Sequence, residues 1–387
     1  MIIESLGKLW YGNARCFHGF LLSMKSELKD IKNKKIVILG CGQEGYVLSN
    51  LLKNLGVEIY AYVDNSLRIQ DKQFGNIKIA SPYDYFDSDV YIIAAVVPKS
   101  IATVRLQFMT HHITDYSLFL IRNYNDIGDE YPELNELIYG ALNTVCFKNE
   151  TVESALPHIG FCSGQDTGSL GALDYLISSE EKIYPEFIWT YNFVNENKNI
   201  KALEIGPGLG FMSLVLLRAS SDMQMKWINF GDPNSVFWNK NSVWDRGLRK
   251  IANEFENRVV GINGYIEMND FEIEGKYDMI ILTEVFEHFA LNPLKTIEKI
   301  KNALTENGII ALSTPDWGHV PIWENWEKMP TCDEVSVNEY LQLTKCVHSY
   351  QYSKNELLDI FDRVGLKVKD YVRTEVGVHN FLLSLNE

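Results

Sequence analysis

Long apolar runs are missing from this 387-residue sequence. Its uninterrupted apolar stretches stop at about seven residues, far below the ~20 needed to cross a bilayer, so no membrane span is expected. The opening "MIIESLGKLWYGNARC" lacks a basic start followed by an apolar core, so no secretory leader is read there and a cytoplasmic location is expected. Positive charge is also short: 36 Lys and Arg stand against 51 Asp and Glu, a net −15, which argues against nucleic acid because phosphate binding needs cations to displace counterions. The six cysteines (16, 41, 146, 162, 332, 346) form no C-x-x-C pair and no dense framework, which excludes a zinc ribbon and a disulfide scaffold.

What is present is α/β patterning, twice. In "KKIVILGCGQEGYVLSNLLKNLGVEIYAYVDNS" a short β-branched run meets Gly40-x-Gly42-x-x-Gly45, then a helical pattern, then a second strand ending at Asp64, 24 residues beyond the first glycine. This order is the dinucleotide-binding fingerprint. Glycines let backbone N–H groups approach a diphosphate at a helix N-terminus, and the acid can accept from a ribose diol. NAD(P) or another nucleotide is the ligand this pattern would take, and a tight turn that binds nothing is the alternative. Residues 1–125 are read as a small Rossmann-like domain with an N-terminal helix. Residues 126–200 are read as a helical linker or lid around the glycine-rich "GFCSGQDTGSLGALDYL".

From Lys201 a second pattern runs to the end. "KALEIGPGLGFMSLVLLRAS" is a strand opening into Gly206-Pro207-Gly208-Leu209-Gly210 and an apolar helix, and "MKWINFGD" is a strand ending at Asp232. "RVVGINGYIE", "YDMIILTE" and "GIIALSTP" are further strands, with a closing antiparallel pair "LKVKDYVRTEV" and "GVHNFLLSLN". The expected fold class is α/β: a doubly wound seven-stranded sheet over residues 201–387 with an antiparallel last strand, preceded by the smaller domain. Ligands of such sheets sit at the carboxyl ends of the strands.

These motifs resemble the class I S-adenosylmethionine-dependent methyltransferases over about residues 200–387. "LEIGPGLG" looks like the first motif, "NFGDP" like the second-strand acid, "KYDMIILTEVFEHF" like the fourth strand, and "LTENGIIALSTP" like the fifth. The resemblance implies S-adenosylmethionine as cofactor, with Glu204, Gly206, Gly208 and Gly210 around its methionine part and Asp232 on its ribose. The family often has an acid after the third strand for the adenine; here Tyr265 and Ile266 stand there, and Tyr265 would flank the ring. The first domain resembles modules fused to bacterial sugar-modifying enzymes of capsule or lipopolysaccharide synthesis, which implies a carbohydrate or nucleotide-sugar acceptor; a homodimer is compatible with the sequence.

Behind the fourth strand, "ILTEVFEHFALNP" places Glu284, Glu287 and His288 at i, i+3 and i+4, hence on one face if the chain turns helical after Thr283. A sugar hydroxyl is a weak acid, so methyl transfer to it needs a base or a metal that lowers its pKa. The E-x-x-E-H pattern resembles the metal site of small-RNA 2′-O-methyltransferases, which implies Mg2+ or Mn2+ on Glu284, Glu287, His288 and His348, 60 residues later. Acids capping a helix without metal, with His288 as general base, are the alternative. Asp316 and His319, in the loop "STPDWGHVPIWENWEKMP", are second candidates for the base, and Trp317, Trp323 and Trp326 beside them offer faces to a sugar or pack a lid. The expected activity is an S-adenosylmethionine-dependent O-methyltransferase acting on a carbohydrate. The rivals are methylation of an amine or phenol and a non-catalytic nucleotide-binding scaffold.

Overall fold

The computed structural model describes residues 3–11, 15–23, 33–123, 131–145, 168–231, 243–316, 322–344, 348–374 and 377–386. The chain divides into two compact units, residues 1–178 and 179–387. Residues 126–178 of the segment read as a linker thus fall in the first unit, and 179–200 in the second.

The first unit holds an eight-stranded sheet of β1 (Ile3–Tyr11), β2 (Arg15–Ser23), β3 (Ile36–Leu39), β4 (Ile59–Val63), β5 (Gln73–Phe74), β6 (Ile77–Ala80), β7 (Tyr91–Ala94) and β8 (Tyr116–Asn123), in the order 1-2-8-7-3-4-6-5. Strands β8-β7-β3-β4-β6 run parallel, while β1, β2 and β5 are antiparallel to their neighbours. Helices α1 (Gln43–Asn54) and α2 (Pro98–Thr110) follow β3 and β7, and α3 (Pro132–Val145) follows β8. Ile36, Ile38, Leu48, Leu52, Tyr62 and Ile93 are fully buried between α1 and the sheet. The expected N-terminal helix is corrected: residues 3–11 and 15–23 pair as a hairpin that extends the sheet beyond β8. Aromatic residues on either side of Gly12-Asn13 (Trp10, Tyr11 and Phe17) favour strands, and that outweighs the helical spacing of Leu6, Leu9 and Trp10.

The second unit begins within α4 (Gly168–Glu196), which kinks at Ile183 (φ −119°, ψ 15°) just ahead of Pro185, a residue that cannot continue the helical hydrogen bonding. Seven strands follow: β9 (Lys201–Ile205), β10 (Gln224–Phe230), β11 (Val259–Gly264), β12 (Tyr277–Thr283), β13 (Leu304–Pro315), β14 (Leu366–Arg373) and β15 (Val378–Leu385). Their order is 11-10-9-12-13-15-14, parallel except for β15, which runs antiparallel to both neighbours. The order reverses between β9 and β12, so a crevice opens at their carboxyl ends. Helices α5 (Phe211–Ala219), α6 (Val243–Glu254), α7 (Pro293–Asn302), α8 (Val337–Leu343) and α9 (Lys354–Val364) complete the unit. The central strands are apolar on both faces because helices cover both, and Leu203, Met279 to Leu282 and Ala311 to Leu312 are fully buried.

Candidate active site

The chain leaves β9 through a backbone that only glycine holds without strain. Gly206, Gly208 and Gly210 have φ of +68°, +54° and +73°. A Cβ on Gly206 would lie 2.6 Å from Val285 Cγ2, and one on Gly210 would lie 2.5 Å from Ile251 Cδ1. The loop is therefore pressed between β12's exit and α6, and Gly210 opens α5 in the left-handed conformation. Glu204 does not lie open beside this loop. It is 2% exposed, its carboxylate accepts from Ser213 Oγ on α5, and Ser213 in turn accepts from Trp227 Nε1 at 2.7 Å. Burial pushes the Glu204 carboxyl up to about 7. It acts as a brace between β9, β10 and the helix that presents the loop, while inside the loop Gly206 N donates to Ile228 O at 2.9 Å and Gly210 N to Pro207 O at 2.6 Å.

Beyond β11, Tyr265 is half-buried in edge contact with Phe230 at 5.2 Å and Tyr340 at 5.8 Å, and Ile266 is buried beside it. Phe230 is 51% exposed, so an aromatic wall stands open at the end of β10. Glu267 lies beneath the wall, accepting from the backbone of Ala290 (3.2 Å) and Leu291 (2.8 Å) and from Tyr340 Oη (2.8 Å); burial pushes its carboxyl up to about 7. Asp232, His319 and Trp317 lie outside the described residues.

At the end of β12 the expected α-helix does not form. Glu284 takes φ +52°, a strained left-handed conformation for a side-chain-bearing residue, and Phe286–His288 make one turn of 3-10 helix. The strain is held in place on both sides: Glu284 N donates to Ser313 Oγ at 3.0 Å, and Phe286 and Phe289 are buried in the core. The three residues expected on one face are consequently split, and with them the four-residue metal set that His348 was expected to complete. Glu284 turns to Lys182 of α4, Nζ to Oε2 3.1 Å, and leaves the metal group. The ligand atoms of Glu287, His288 and His348 lie within 4.8 Å of one another. The two imidazoles meet edge to face with centroids 5.0 Å apart, and Glu287 accepts from Thr314 Oγ1 at 3.1 Å. His348 is brought in by the chain after it, because Ser349 N donates to Glu287 O at 2.8 Å. Burial first, then the charge of Glu284, hold the Glu287 carboxyl well above the ordinary range.

Residues 184–370 match the family described as "Methyltransferase domain". The matched residues all lie within the second unit. No curated protein matches the chain. Among solved structures, an O-methyltransferase from neocarzinostatin biosynthesis, bound to S-adenosyl-L-homocysteine and 1,4-dihydroxy-2-naphthoic acid, is 14% identical with a TM-score of 0.37 over 56% of this chain. The overlap spans 58% of that enzyme's length. A SAM-dependent methyltransferase from Aquifex aeolicus is 16% identical (TM-score 0.35, 53% of this chain, 92% of that one). The magnesium protoporphyrin IX methyltransferase of Synechocystis PCC 6803 is 13% identical (TM-score 0.38, 58% and 90%).

Several groups around the methyltransferase crevice escape local sequence patterns. On α4, Glu186 is fully buried and accepts from Thr283 Oγ1 at 2.8 Å, and burial raises its carboxyl well above the usual range. At the end of β13, Asp316 is taken by Arg373 (Nε to Oδ2 2.6 Å), with His379 Nε2 at 3.8 Å from the same oxygen. A carboxylate held in an ion pair is a poor base, which weighs against Asp316. Trp326 is 3% exposed and offers no face to a sugar, while Trp323 is half-buried with its indole N–H out of contact with any acceptor among the described residues. Lys182 and Glu186 stand about a hundred positions from their partners, so only a cue from the amphipathic end of α4, "EEKIYPEF", was available to find them.

In the first unit the glycine turn closes on itself. Gly40 has φ +104°, and a Cβ there would lie 2.2 Å from Ala95 O; one on Gly45 would lie 1.9 Å from Gly40 O. Both carboxylate oxygens of Asp64 accept from backbone, Oδ2 from Cys41 N and Oδ1 from Ser66 N, each at 2.8 Å. A Cβ on Gly42 would stand 3.6 Å from Glu44 Oε2, which places a carboxylate beside the turn where a diphosphate would lie. Close packing at Gly40 and Gly45 and the hydrogen bonds at Asp64 give these fingerprint residues roles within the turn itself.

Proposed function

We propose that the protein is an S-adenosylmethionine-dependent O-methyltransferase acting on a carbohydrate hydroxyl, a nucleotide-linked sugar or one destined for capsule or lipopolysaccharide. The observation that carries the reading is the meeting of Glu287, His288 and His348 at the carboxyl end of β12, next to the strand whose glycine loop would hold the cofactor. Methyl transfer is an in-line displacement at an already activated sulfonium carbon. The protein's task is to align the acceptor oxygen and take its proton. His288, with 41% of its side chain exposed, can reach a ligand and accept that proton. Gly206, Gly208 and Gly210 would receive the methionine part, Asp232 the ribose, and Tyr265 with Phe230 the adenine face.

If a metal is bound, His288 would be its ligand rather than the base, in a donor set with Glu287 and His348 of two imidazoles and one carboxylate, which suits Mn2+ better than Mg2+. The buried, charge-crowded Glu287 fits a cation, since a positive ion beside it offsets the desolvation of its carboxylate. When bound, the metal would lower the pKa of a coordinated hydroxyl. The carbohydrate acceptor rests on the resemblance of the first unit to modules of sugar-modifying enzymes.

The test is mass-spectrometric detection of a methylated product from a panel of nucleotide sugars, free sugars, amines and phenols with labelled S-adenosylmethionine, run with Mn2+, Mg2+ or EDTA. A sugar product that disappears in EDTA and returns with Mn2+ is expected. Turnover of amines or phenols alone would overturn the sugar reading, and turnover indifferent to EDTA would overturn the metal.

A further inference from the structure

The far end of the crevice carries cations that the proposed chemistry does not use. Arg373 ends β14 and pairs across the hairpin with His379 of β15. Its side chain is 51% exposed, and Nε donates to Asp316 Oδ2. That commits one N–H of a five-donor fork and leaves both Nη groups without a partner among the described residues. Lys354, the exposed first residue of α9, holds Nζ 3.8 Å from the centroid of the Tyr371 ring and meets no carboxylate among the described residues. The ring under it is fixed, because Tyr371 Oη bonds His379 Nδ1 at 2.9 Å. Arg373 is the cross-strand partner of His379, and the ring under Lys354 bonds the same imidazole, so the two cations stand on either side of His379. Asp316 offsets one of the two charges, and among the described residues a net positive spot remains in a chain of net charge −15.

Its position relative to the methyl-transfer end follows from the extended segment 348–354. That segment starts at His348 against His288, passes Gln351, whose side chain donates to Asp316 O, and ends at Lys354. Three residues of chain reach at most about 11 Å and six at most about 21 Å. A sugar carrying a phosphate or a carboxylate, or a sugar nucleotide, has that reach.

We infer that Arg373 and Lys354 form a subsite for an anionic group of the acceptor, so that the sugar methylated is an acidic or phosphorylated one. This rests on reading the His288 end as the place of the acceptor hydroxyl. The guanidinium fork matches the oxygens of a phosphate or carboxylate in pairs, and the ammonium adds a point charge beside it. Asp316 keeps the fork oriented and moderates its grip on the ligand.

Calorimetric titration of the full chain tests this with three probes: pyrophosphate, glucuronate and neutral glucose. Each is run against the wild type, Lys354→Gln, the Arg373→Gln/Lys354→Gln double variant and Arg373→Lys, with a separate titration of S-adenosylhomocysteine for every protein. At least one anion is expected to bind the wild type, and to bind the double variant about tenfold more weakly or worse. Arg373→Lys, which keeps charge without the fork, is expected to fall between. Preference for pyrophosphate assigns a phosphate to the acceptor, and preference for glucuronate a carboxylate. Unchanged S-adenosylhomocysteine affinity shows that the variants are folded. Absence of anion binding to the wild type, or equal affinity in the double variant while S-adenosylhomocysteine still binds, overturns the subsite. Anion binding lost in the double variant, in a protein that never binds S-adenosylhomocysteine, supports the subsite and overturns the methyltransferase reading instead.

Discussion

At the scale of single residues, the proposed chemistry concentrates on His288, and the stability of its loop on the salt bridge between Lys182 and Glu284. His288→Ala is expected to lower kcat about 100-fold or more, the usual weight of a lost general base, with S-adenosylhomocysteine affinity unchanged. Steady-state kinetics with a matched calorimetric titration reads both. Lys182 and Glu284 are a partly desolvated pair with side chains 18% and 8% exposed, and Glu284 keeps one buried oxygen without a partner among the described residues. Lys182→Met leaves that carboxylate uncompensated at a strained backbone position. A loss of roughly 3 kcal/mol in denaturant unfolding is expected, and a loss below half of that would show the pair to be weakly coupled. The identities of Glu284, Glu287 and His288 as a cluster were readable from their spacing. Their separation into one residue paired with Lys182 and two facing His348 was not, because a single left-handed φ at Glu284 rotates everything after it.

At the scale of elements, the glycine loop after β9 is the part on which the cofactor site depends. Gly206→Ala combines a left-handed backbone with a Cβ 2.6 Å from Val285 Cγ2. The expected result is at least about 1–2 kcal/mol of destabilisation and loss of measurable S-adenosylhomocysteine binding. Binding retained at wild-type affinity would show that the loop tolerates rearrangement. The succession of strands and helices along the second unit, the antiparallel β15 and the first glycine turn could be read from the sequence because each is a local pattern of period, turn residue and length. The first two strands could not, since Leu6, Leu9 and Trp10 also fit a helical face and β8, the partner of β2 in the sheet, lies about a hundred residues away.

At the scale of the whole molecule, two units invite separate questions of the same protein. S-adenosylhomocysteine at 100 times its Kd is expected to stabilise the second unit by about 2.7 kcal/mol in a thermal scan. NAD(P)H is expected to shift no transition, because Asp64 is engaged by Cys41 N and Ser66 N and Glu44 stands by the turn. A shift with NAD(P)H would restore the first glycine turn as a nucleotide site. Stability should also depend on pH with a definite sign. Glu204 and Glu267 are raised to about 7 from an ordinary value of 4.5, so between these values the folded chain holds more protons than the unfolded one. Their stabilisation is full below pH 4.5 and is lost as pH rises through 7, so melting temperature should fall from pH 6 to pH 8. Glu204→Gln should shrink that fall, and a rise over the same interval would contradict the burial of these carboxyls.

What the sequence by itself determined is the part written in neighbours: apolar strands, the Gly206–Gly210 turn, the order of elements in the second unit, and a carboxylate-rich exit from β12. Backbone propensity and side-chain period act over a few residues, and these features need nothing more. Only the tertiary structure decided which acids meet which bases. Lys182 reaches Glu284, Ser213 reaches Glu204, Tyr340 reaches Glu267 and Arg373 reaches Asp316 across separations fixed by sheet order and packing. A buried carboxylate takes its partner from whichever element the core brings beside it, and that choice is made by the whole fold rather than by the chain on either side.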